Sequence, residues 1–364
     1  MKICFLSLNS YPLLKDANLG YVGGAEVEQV SLGKELSSLG QNVCFITYYY
    51  GHKQTENIHG ISVVKAYSRA EVRKSNSFSK IKSIWHCLKK VNADIYFHEA
   101  GAIGFLPIFS DIRRKKFVHR IASDAVVLSK SLSGRHSFSE NLITAFEIKK
   151  ADAVIAQSEF QKRLLENRFK VESVVIKNGM PITQNACEKS VPRVVLWVGS
   201  ITKVKNPTLF VQLAKSLPNF HFEMVGGRTD DSELYENVTK AGEKLTNFKF
   251  HGFVPYPEIN DYFKRASIFV NTSKIEGFPN TFIQAWAHFC PIVSLHADPD
   301  GIIQNEHIGF HSGTFKKLIL DVTTLLEDEN LRKTMGRDGR NYVEEKHDIR
   351  KIVKQYIKTF NAIL

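Results

Sequence analysis

The sequence predicts an α/β protein made of two similar halves, each with a parallel sheet covered by helices. Short β-branched or apolar runs alternate with amphipathic stretches along all 364 residues. The runs are continuously apolar, which is typical of parallel strands that are buried on both faces. The alternation stops in a polar stretch near residues 178–192 and then restarts, which indicates a boundary between two domains.

The predicted strands follow from these apolar runs. They cover residues 3–8, 43–47, 61–64, 94–97, 117–121, 153–156 and 173–176 in the first half, and 194–198, 222–225, 267–270 and 291–294 in the second. We place the first domain at residues 1–185, the second at 186–345, and a C-terminal amphipathic helix at 346–364. A ligand is expected in a cleft between the carboxyl ends of the strands.

The composition excludes several classes of protein. With 43% apolar and 24% charged residues, the chain is an ordinary globular one that can bury two cores. Its five cysteines form no Cys-x-x-Cys pair, which favours free thiols in a reducing cytoplasm and argues against a zinc site. No run approaches the ~20 apolar residues of a membrane span, so we expect a cytoplasmic protein, soluble or peripheral on the membrane.

The net charge of +12 is unevenly distributed. Residues 1–190 hold 27 Lys and Arg against 17 Asp and Glu, whereas the rest of the chain holds 22 against 20. The first half therefore faces an anionic partner or is simply well solvated. Nucleic acid ranks last among such partners, because no aromatic residues are interleaved with the basic clusters.

The first candidate site is a glycine pair, Gly23 and Gly24, which follows the first strand and opens a helix. Glycines there let the backbone approach a phosphate or a sugar closely. The apolar positions of the helix lead to Gly40, which is expected to stop it. A glycine pair before a helix is more often an ordinary turn, so this motif is weak when it stands alone.

The second candidate is the loop after the first strand of the second half. Here Gly199 and Ser200 precede Lys203 and Lys205, whose ammonium groups can meet a diphosphate. An Asn-Pro pair then starts the next helix, with the proline in its first turn. The alternative is a loop with two solvated lysines, but the carboxyl end of a strand is where an α/β protein binds its ligand.

The third candidate is the most informative stretch, in which a carboxylate precedes a Gly/Pro turn and an apolar helix. Its residues are Glu276, Gly277, Phe278, Pro279, Asn280, Thr281, Phe282, Ile283 and Gln284. The helix start offers unpaired N–H groups and a positive dipole end, which suits a phosphate that carries a polyhydroxyl group. Thr281 and Gln284 fit a capping box, so Gln284 can simply cap its own helix. Glu276 has no such role and needs a ligand hydroxyl or a cation as partner.

The fourth candidate is a histidine at the end of an apolar run. His119 follows Phe117 and Val118 and is next to Arg120, and His98 ends another such run. A histidine at a strand end is about as often structural as catalytic, so neither histidine identifies a site by itself.

The order and spacing of these motifs resemble those of the retaining glycosyltransferases of family four, which have the GT-B fold, with two Rossmann-like domains facing a central cleft. The likeness covers nearly the whole chain. Its matches are Gly23 to Glu26, residues 151–159, residues 174–179, Trp197 to Gly199 with Lys205, His251 to Val254, and Glu276 to Thr281.

The resemblance implies an enzyme whose second domain holds a nucleotide-sugar, linked to UDP or GDP, and whose first domain holds the acceptor. Lys205 would then bind the diphosphate, with N–H donors from the backbone at Asn280 and Thr281. Glu276 would contact the donor sugar. No metal or other cofactor would be required.

Further positions take roles from the same resemblance. The loop at Phe253 and Val254 would lie by the base, and the glycine pair would lie by the phosphates. His119 is similar in place to a histidine near the reacting sugar. The last helix would cross back to the first domain and pack there.

Elementary chemistry supports these roles. Cleavage of the bond between sugar and diphosphate builds negative charge on the leaving group, which a lysine and a helix N-terminus can stabilise without magnesium. Glu276 can fix the sugar ring by accepting from a hydroxyl group. We expect retention through front-face attack, because no second carboxylate stands out as a nucleophile.

Two positions depart from the family pattern. Ser200 stands where the family often has an arginine, although Lys203 is close enough to compensate in part. Gln284 stands where the family often has a glutamate, and its carbonyl accepts a ribose hydroxyl more weakly than a carboxylate does. Both changes predict weaker nucleotide binding.

The predicted acceptor is a glycan or a lipid-linked molecule in cell-surface polysaccharide synthesis. Phe78, Ile81, Trp85 and Leu88 form an apolar stripe among lysines, and residues 113–116 are all basic. Such a helix can rest on an anionic membrane surface. The alternative is a core helix with a solvated basic face.

Two other functions stay open at this point. A scaffold subunit that kept the fold and lost turnover would explain Ser200 and Gln284, but Lys205 and Glu276 argue against it. A sugar-nucleotide epimerase of the same architecture would need acid and base groups on both faces of the sugar.

Overall fold

The computed structural model describes residues 1–16, 23–51, 53–69, 77–99, 103–128, 138–182, 194–229 and 231–364. The chain divides into two compact units. Unit 1 contains Met1–Pro181 and Ile349–Leu364, and unit 2 contains Ile182–Asp348. Cys187 and most of the polar stretch between the predicted domains lie outside the described residues.

Unit 1 is built on an eight-stranded sheet. Its strands are β1 (Lys2–Leu6), β2 (Asn42–Tyr49), β3 (Thr55–Ile58), β4 (Ile61–Ser68), β5 (Ile95–His98), β6 (Lys116–Arg120), β7 (Ala153–Ala156) and β8 (Val174–Val175). Their order across the sheet is β3-β4-β2-β1-β5-β6-β7-β8. Every pairing is parallel except that of β3 with β4. The prediction of a parallel sheet is confirmed.

Helices cover both faces of this sheet. They are α1 (Tyr11–Leu14), α2 (Gly24–Ser38), α3 (Ser77–Val91), α4 (Phe105–Arg113), α5 (Asp124–Val127), α6 (Phe138–Lys150) and α7 (Glu159–Leu164), the last of which runs into a π-helical turn at Leu165–Phe169. After α2, Gly40 has a φ of +78°, a left-handed conformation that ends the helix as its sequence predicts.

Unit 2 is built on a six-stranded parallel sheet. Its strands are β9 (Val194–Val198), β10 (His221–Val225), β11 (Phe248–Phe250), β12 (Ile268–Asn271), β13 (Ile292–Ser294) and β14 (Gly309–His311). Their order is β11-β10-β9-β12-β13-β14, so β9 lies beside β12 although the two are far apart in the chain. This neighbour relation decides which loops meet at the carboxyl edge of the sheet.

The helices of unit 2 pack on this sheet, and one more helix follows them. They are α8 (Pro207–Ser216), α9 (Ser232–Gly242), α10 (Tyr256–Arg265), α11 (Asn280–Ala287), a 3-10 turn (Pro299–Gly301), α12 (Ile302–Asn305), α13 (Phe315–Glu327) and α14 (Glu329–Lys346). The chain then enters α15 (Ile349–Ile363), which belongs to unit 1.

Helix α15 is held in unit 1 by its apolar face and by one buried hydrogen bond. Tyr356 and Phe360 are fully buried and contact the ring of Phe97 on β5. The Tyr356 hydroxyl donates to Glu28 Oε1 of α2 at 3.2 Å. The last residues of the chain therefore pack within unit 1.

The sequence missed three strands, and all three are sheet edges. β3 and β11 alternate exposed and partly buried residues, and β14 has three residues. An edge strand is short and only partly covered, so it lacks the continuous apolar run on which the prediction rests.

No helix in the described part of the chain combines the length and the apolar character that crossing a bilayer requires. The cysteines that the structure describes, Cys4, Cys44, Cys87 and Cys290, are free and buried.

Candidate active site

Two loops meet at the carboxyl edge of the unit 2 sheet, because β9 and β12 are parallel neighbours. Residues 199–206 follow β9, and residues 272–279 follow β12. Carboxyl ends of parallel strands are where α/β proteins bind ligands. The two strongest sequence motifs therefore lie on adjoining loops.

A lysine and a glutamate join these loops directly. Lys205 Nζ donates a short hydrogen bond to Glu276 Oε1, which forms an ion pair. Their side chains are 31% and 11% exposed, so the pair is reachable from solvent. A reachable pair can exchange its partners for those of an anionic, hydroxyl-bearing ligand.

The backbone of Lys205 is fixed by residues after β12. The Thr272 hydroxyl donates to the Lys205 carbonyl oxygen at 2.8 Å and accepts from Trp197 Nε1 at 2.9 Å. The Lys274 N–H donates to the carbonyl oxygen of Val204 at 2.8 Å. These bonds preorganise the lysine, because the loop that carries it cannot drift from the strand ends.

The helix start in the Glu276 motif differs from the prediction. Helix α11 begins at Asn280 with Pro279 as its N-cap, and no side chain caps it. The capping box of Thr281 and Gln284 is therefore wrong, because the helix starts two residues earlier than that motif requires. Gln284 is 5% exposed and donates instead to Asn260 Oδ1 of α10 at 3.5 Å.

The residues between Glu276 and the helix are structural in this conformation. Gly277, Phe278 and Pro279 are buried, and the Phe278 ring lies 4.6 Å from the ring of His347. They hold the turn from which the N-terminus of α11 points outward. The N–H groups of the first turn of a helix have no partner within the helix, and an anion site at Asn280 and Thr281 stays a prediction.

Glycines bring the ends of β9, β10 and β11 close together. The Gly199 N–H donates to the Val225 carbonyl oxygen at 3.0 Å, and the Gly226 N–H donates to that of Gly252 at 2.8 Å. A Cβ at Gly226 would lie 2.4 Å from the Gly199 carbonyl oxygen, a distance that no side chain tolerates. The sequence did not single out Gly226.

Two other predicted residues, Ser200 and Lys203, lie on the loop after β9. Ser200 is partly buried, whereas the Lys203 side chain is 82% exposed and lies 3.6 Å from Asp231. Lys203 is thus on the same loop as Lys205 but is not fixed by comparable contacts among the described residues.

The loop predicted to lie by a base carries one exposed aromatic residue. Phe253 is 40% exposed and Val254 is buried. A Cβ at Gly227 would lie 3.0 Å from the Phe253 ring, so this glycine lets the ring lie on the backbone. An exposed ring held in this way is a flat apolar surface at the carboxyl edge of the sheet.

A charged cluster that the sequence missed supports this loop. Glu223 Oε2 accepts from Arg265 at 2.6 Å and lies 2.9 Å from His251 Nε2. Tyr262 Oη lies 3.3 Å from His251 Nδ1. Burial lowers the pKa of His251, although Glu223 acts to raise it. A neutral imidazole that donates to Glu223 and accepts from Tyr262 satisfies all three groups and fixes the residue before Gly252.

The other predicted residues belong to unit 1. Gly23 is the N-cap of α2 and Gly24 is its first residue, at the end of the segment that follows β1. Asn9, also after β1, donates to Glu26 Oε1 at 3.3 Å. The motif thus has the predicted strand-to-helix setting.

His119 lies within β6, with a side chain that is 3% exposed. Its Nδ1 is 3.9 Å from Glu147 Oε2 of α6, and neither atom has a hydrogen-bond partner within the part of the chain that the structure describes. Glu147 Oε1 accepts from the N–H groups of Ile103 and Gly104 at 2.9 and 2.6 Å. Burial and the neighbouring His98 lower the pKa of His119 to about 3, so the ring is neutral.

Among the described residues, no group of three or more His, Cys, Asp or Glu side chains is arranged to hold a metal ion.

Thr272, Gly226 and Glu223 are the main participants that sequence reasoning missed. Thr272 and Gly226 directly follow the carboxyl ends of β12 and β10, whereas Glu223 lies within β10. A strand-end position is the signal for Thr272 and Gly226, and none of the three residues belongs to a motif with distinctive spacing.

Comparisons with known proteins agree with this architecture. The chain matches the family models for glycosyltransferase family 4 over residues 22–184 and for glycosyl transferases group 1 over residues 183–342. An uncharacterized glycosyltransferase of Methanocaldococcus jannaschii, MJ1178, is 24% identical over 88% of this chain and 90% of its own. The capsular polysaccharide biosynthesis glycosyltransferase CapM of Staphylococcus aureus is 25% identical over 67% of this chain and 62% of its own.

Solved structures show the same fold. The sucrose-phosphate synthase of Thermosynechococcus elongatus superposes with a TM-score of 0.84 at 18% identity, covering 100% of this chain and 99% of its own. HepE of Anabaena, in complex with UDP-glucose, superposes with a TM-score of 0.77 at 18% identity over 100% of both chains. The two parallel-sheet units therefore form a GT-B fold.

The two family models together span residues 22–342, which is most of the chain. This match makes the protein an enzyme and sets aside the scaffold and epimerase alternatives. On the sequence motifs, the fold and these matches, the chain belongs to the group 1 glycosyltransferases.

Proposed function

We propose that the protein transfers a sugar, with retention and without a metal ion, from a UDP- or GDP-linked donor to a glycan or lipid-linked acceptor of cell-surface polysaccharide synthesis. The observation that carries this proposal is the ion pair of Lys205 and Glu276 at the unit 2 edge. Relatives named for capsular polysaccharide and O-antigen synthesis support the biological setting.

The donor replaces the ion pair by two separate contacts. Lys205 turns to the diphosphate, where negative charge grows as the bond to the sugar breaks. The N–H groups at Asn280 and Thr281 supply further positive potential from the start of α11. Glu276 is then free to accept from a sugar hydroxyl and to fix the ring in the reactive geometry.

Retention and metal independence follow from this arrangement. Lys205 and the helix N-terminus stabilise the leaving diphosphate on one face of the sugar, and the acceptor hydroxyl attacks on that same face. The nucleotide base lies against Phe253 and Val254, while Gly199, Ser200 and Lys203 line the phosphates. For unit 1, we propose that Gly23 and Gly24 serve the phosphates and that His119 serves the reacting sugar.

A thermal-shift screen against UDP, GDP and their sugar conjugates tests the donor class. We expect one base to raise the melting temperature, and we expect this shift to vanish in Lys205→Ala. Lys333→Ala, which removes an exposed lysine paired with Glu329 on α14, serves as the matched control. No shift with any nucleotide would refute the proposal.

The stereochemistry and the metal requirement have their own readouts. Proton NMR of the first product formed should show the anomeric configuration of the donor. Turnover should persist after treatment with EDTA. An inverted product, or activity restored only by a divalent cation, would contradict the proposed mechanism.

The partner of the basic first half is proposed to be an anionic bilayer. Phe78 and Ile81 of α3 are 75% and 40% exposed, whereas Trp85 is partly buried and Leu88 is fully buried. Helix α4 lies beside α3, with the rings of Trp85 and Phe109 4.9 Å apart, and exposes Ile112.

Helix α6 extends this surface on the far side of α4. It exposes Leu142 and Phe146, and Gly104 at the start of α4 would place a Cβ 3.0 Å from its Ile143. Exposed basic side chains border the three helices: Lys82, Lys89, Lys90, Arg113, Arg114, Lys149 and Lys150. Apolar side chains among cations suit the interface of an anionic membrane, which would place the protein peripherally on the cytoplasmic face.

Sedimentation with phosphatidylglycerol vesicles tests this surface. We expect binding at low salt that weakens at high salt, and loss of binding in the double variant Phe78→Ser, Ile112→Ser. Leu320→Ser, which changes an exposed leucine on α13 of unit 2, is the control. Failure to sediment, or self-association through the same residues, would overturn the membrane assignment.

A further inference from the structure

Two buried side chains of unit 1, His119 and Glu147, each have one polar atom whose hydrogen bonding is incomplete. His119 lies in β6 and Glu147 in α6, and their side chains are 3% and 0% exposed. His119 Nδ1 and Glu147 Oε2 are 3.9 Å apart, and among the described residues neither atom has a hydrogen-bond partner. A buried polar atom without a partner costs about 1–3 kcal/mol, so two such atoms side by side need an explanation.

The other carboxylate oxygen of Glu147 has a structural role at the start of α4. Oε1 accepts from the N–H groups of Ile103 and Gly104 at 2.9 and 2.6 Å. Gly104 is the N-cap residue of α4, and the N-terminus of a helix favours a negative charge. Capping of α4 therefore accounts for Oε1, but it leaves Oε2 without a role.

The distance between Oε2 and Nδ1 is about 1 Å longer than a hydrogen bond, so a small shift of either side chain would satisfy both atoms. With the two atoms 3.9 Å apart, burial raises the pKa of Glu147, although His98 and the N–H groups of Gly104 and Ile103 act to lower it. A carboxylate that accepts from three donors is strongly favoured in its ionised form. Donation from His119 would supply the third donor.

The state of Glu147 decides where His119 carries its proton. Burial lowers the pKa of His119 to about 3, with a contribution from His98, so the ring is neutral and has one proton. An ionised carboxylate can only accept, so a hydrogen bond to Oε2 requires that proton on Nδ1. Nε2 then has a lone pair, and it is the nitrogen left for a ligand. The partner of one ring nitrogen thus sets what the other nitrogen presents.

We propose that Glu147 is a positioning residue, which holds the proton of His119 on Nδ1 and so directs the lone pair of Nε2 at the reacting sugar. The proposal rests on the proposed function, in which His119 serves that sugar. Positive charge grows on the anomeric carbon as its bond to the diphosphate breaks. A lone pair that faces this carbon stabilises the charge, whereas an N–H group in the same place would oppose it.

NMR of the full chain, labelled with ¹⁵N-histidine, tests the tautomer without any substrate. Long-range ¹H–¹⁵N correlation spectra show which nitrogen of each ring carries the proton, and His119→Asn identifies the signals of His119 by their loss. We expect the proton on Nδ1 in the wild type. A proton on Nε2 would mean that Glu147 is a neutral acid that donates to Nδ1, and it would overturn the proposal.

Glu147→Gln is the most direct variant, because it keeps one side-chain oxygen and replaces the other by an amide nitrogen. The oxygen can still accept from Ile103 and Gly104, while the amide nitrogen donates to His119 Nδ1. We therefore expect the proton of His119 to move to Nε2. The kcat of nucleotide-sugar turnover should fall at least about tenfold, with a change in the KM of the donor below about threefold, because the charge on the sugar exists only in the transition state.

Glu140→Gln is the matched control. It removes an exposed carboxylate from the same helix, α6, and should change neither the tautomer of His119 nor kcat. Circular dichroism shows whether Glu147→Gln is folded, and if it is not, the wild-type spectrum still decides the tautomer. A folded Glu147→Gln that moves the proton but keeps kcat within about twofold of the wild type would show that Glu147 only caps α4.

This proposal and the proposed function fail in different ways. Absence of a thermal shift with every nucleotide refutes the proposed function, whereas the tautomer of His119 is measured without a nucleotide. A protein that turns over its nucleotide-sugar but carries the His119 proton on Nε2 refutes the role of Glu147 alone.

Discussion

Each unit of the protein places charged side chains at the carboxyl edge of its sheet, but the two groups differ in exposure. In unit 2, Lys205 and Glu276 are 31% and 11% exposed. In unit 1, Arg120 at the end of β6 pairs with Glu99 after β5 and with Glu28 of α2, and these side chains are at most 1% exposed. The same chemical groups thus stand in very different surroundings.

The buried charged side chains of unit 1 form hydrogen bonds with one another and with neighbouring residues. Arg120 donates to Glu99 and, at 2.6 Å, to Asn178 Oδ1, while Tyr356 of α15 donates to Glu28. Although burial acts to lower the pKa of Arg120, Glu28 and Glu99 raise it. The network therefore links α2, α15 and the segment at Asn178 to the sheet.

The difference in exposure separates a structural role from a binding role. A buried ion pair is out of reach of a ligand, and removing one member leaves an uncompensated charge. An accessible pair is worth little to stability but can be divided by a substrate. Position at a strand end alone does not make a site.

Removal of Arg120 should have the largest effect on the molecule. Arg120→Ala leaves two buried carboxyl groups without their cation, and we expect a loss of about 3–5 kcal/mol in the free energy of unfolding. Urea denaturation followed by tryptophan fluorescence and circular dichroism measures it.

Arg163→Ala removes an exposed arginine from the same unit and should change stability by no more than about 0.5 kcal/mol. If Arg120→Ala unfolds at the urea concentration of the wild type, the buried network does not hold unit 1 together.

Removal of Lys205 should leave stability nearly intact and impair catalysis. Lys205→Ala deletes the cation that we propose for the leaving diphosphate, so we expect the transfer rate to fall by about 10²–10³. Since the pair is partly exposed, the free energy of unfolding should change by less than about 1 kcal/mol. Initial rates of nucleoside diphosphate release and urea denaturation give the two values.

Lys203→Ala is the matched control on the same loop. Its side chain is 82% exposed and loosely paired, so the rate should fall by less than about fivefold. Equal losses in the two variants would mean that the contacts from Thr272 do not distinguish Lys205 from its neighbour.

The sequence predicted the centre of both sheets well and their edges poorly. Central strands such as β1 and β9 are covered on both faces and appear as apolar runs. The missed strands β3, β11 and β14 are edges, where a few partly buried residues leave no such run. Edge strands are set by pairing with a neighbour, which a local pattern does not contain.

Lys205 and Glu276 were predictable as candidates, but the contact between them was not. Lys205 and Glu276 are 71 positions apart, and only the sheet order brings β9 beside β12. The capping box failed because Pro279 takes the N-cap position that the motif gave to Thr281. The apolar stripe of α3 was right for Leu88, which is buried, and wrong as a single face for Phe78.

The buried network should also make the stability of unit 1 depend on pH. Burial raises the pKa of Glu99, with a further contribution from Glu28, although Arg120 acts to lower it. A carboxyl group whose pKa is higher in the folded state stabilises the fold below its unfolded pKa, and this contribution is lost as pH rises toward the folded value. The free energy of unfolding should therefore fall as the pH rises above about 4.5, by up to about 1.4 kcal/mol per pH unit.

Glu99→Gln keeps the shape and the hydrogen-bonding capacity of the protonated acid, so it should flatten this slope. Urea midpoints of both proteins between pH 5 and pH 8 measure the difference. If the urea midpoints of the two proteins change with pH in parallel, protonation of Glu99 does not stabilise unit 1.

The smallest effect is expected at Gln284, which connects the site to the interior of unit 2. Its side chain is 5% exposed and reaches Asn260 only at 3.5 Å, so the amide is weakly held and can turn to a ribose hydroxyl. Gln284→Glu should then strengthen nucleotide binding by at most about tenfold, because a carboxylate accepts a stronger hydrogen bond than an amide. Isothermal titration with the nucleotide found in the thermal-shift screen measures this affinity. Gln304→Glu, on a short helix of the same unit, controls for the added charge, and an affinity that Gln284→Glu leaves unchanged would exclude Gln284 from the nucleotide site.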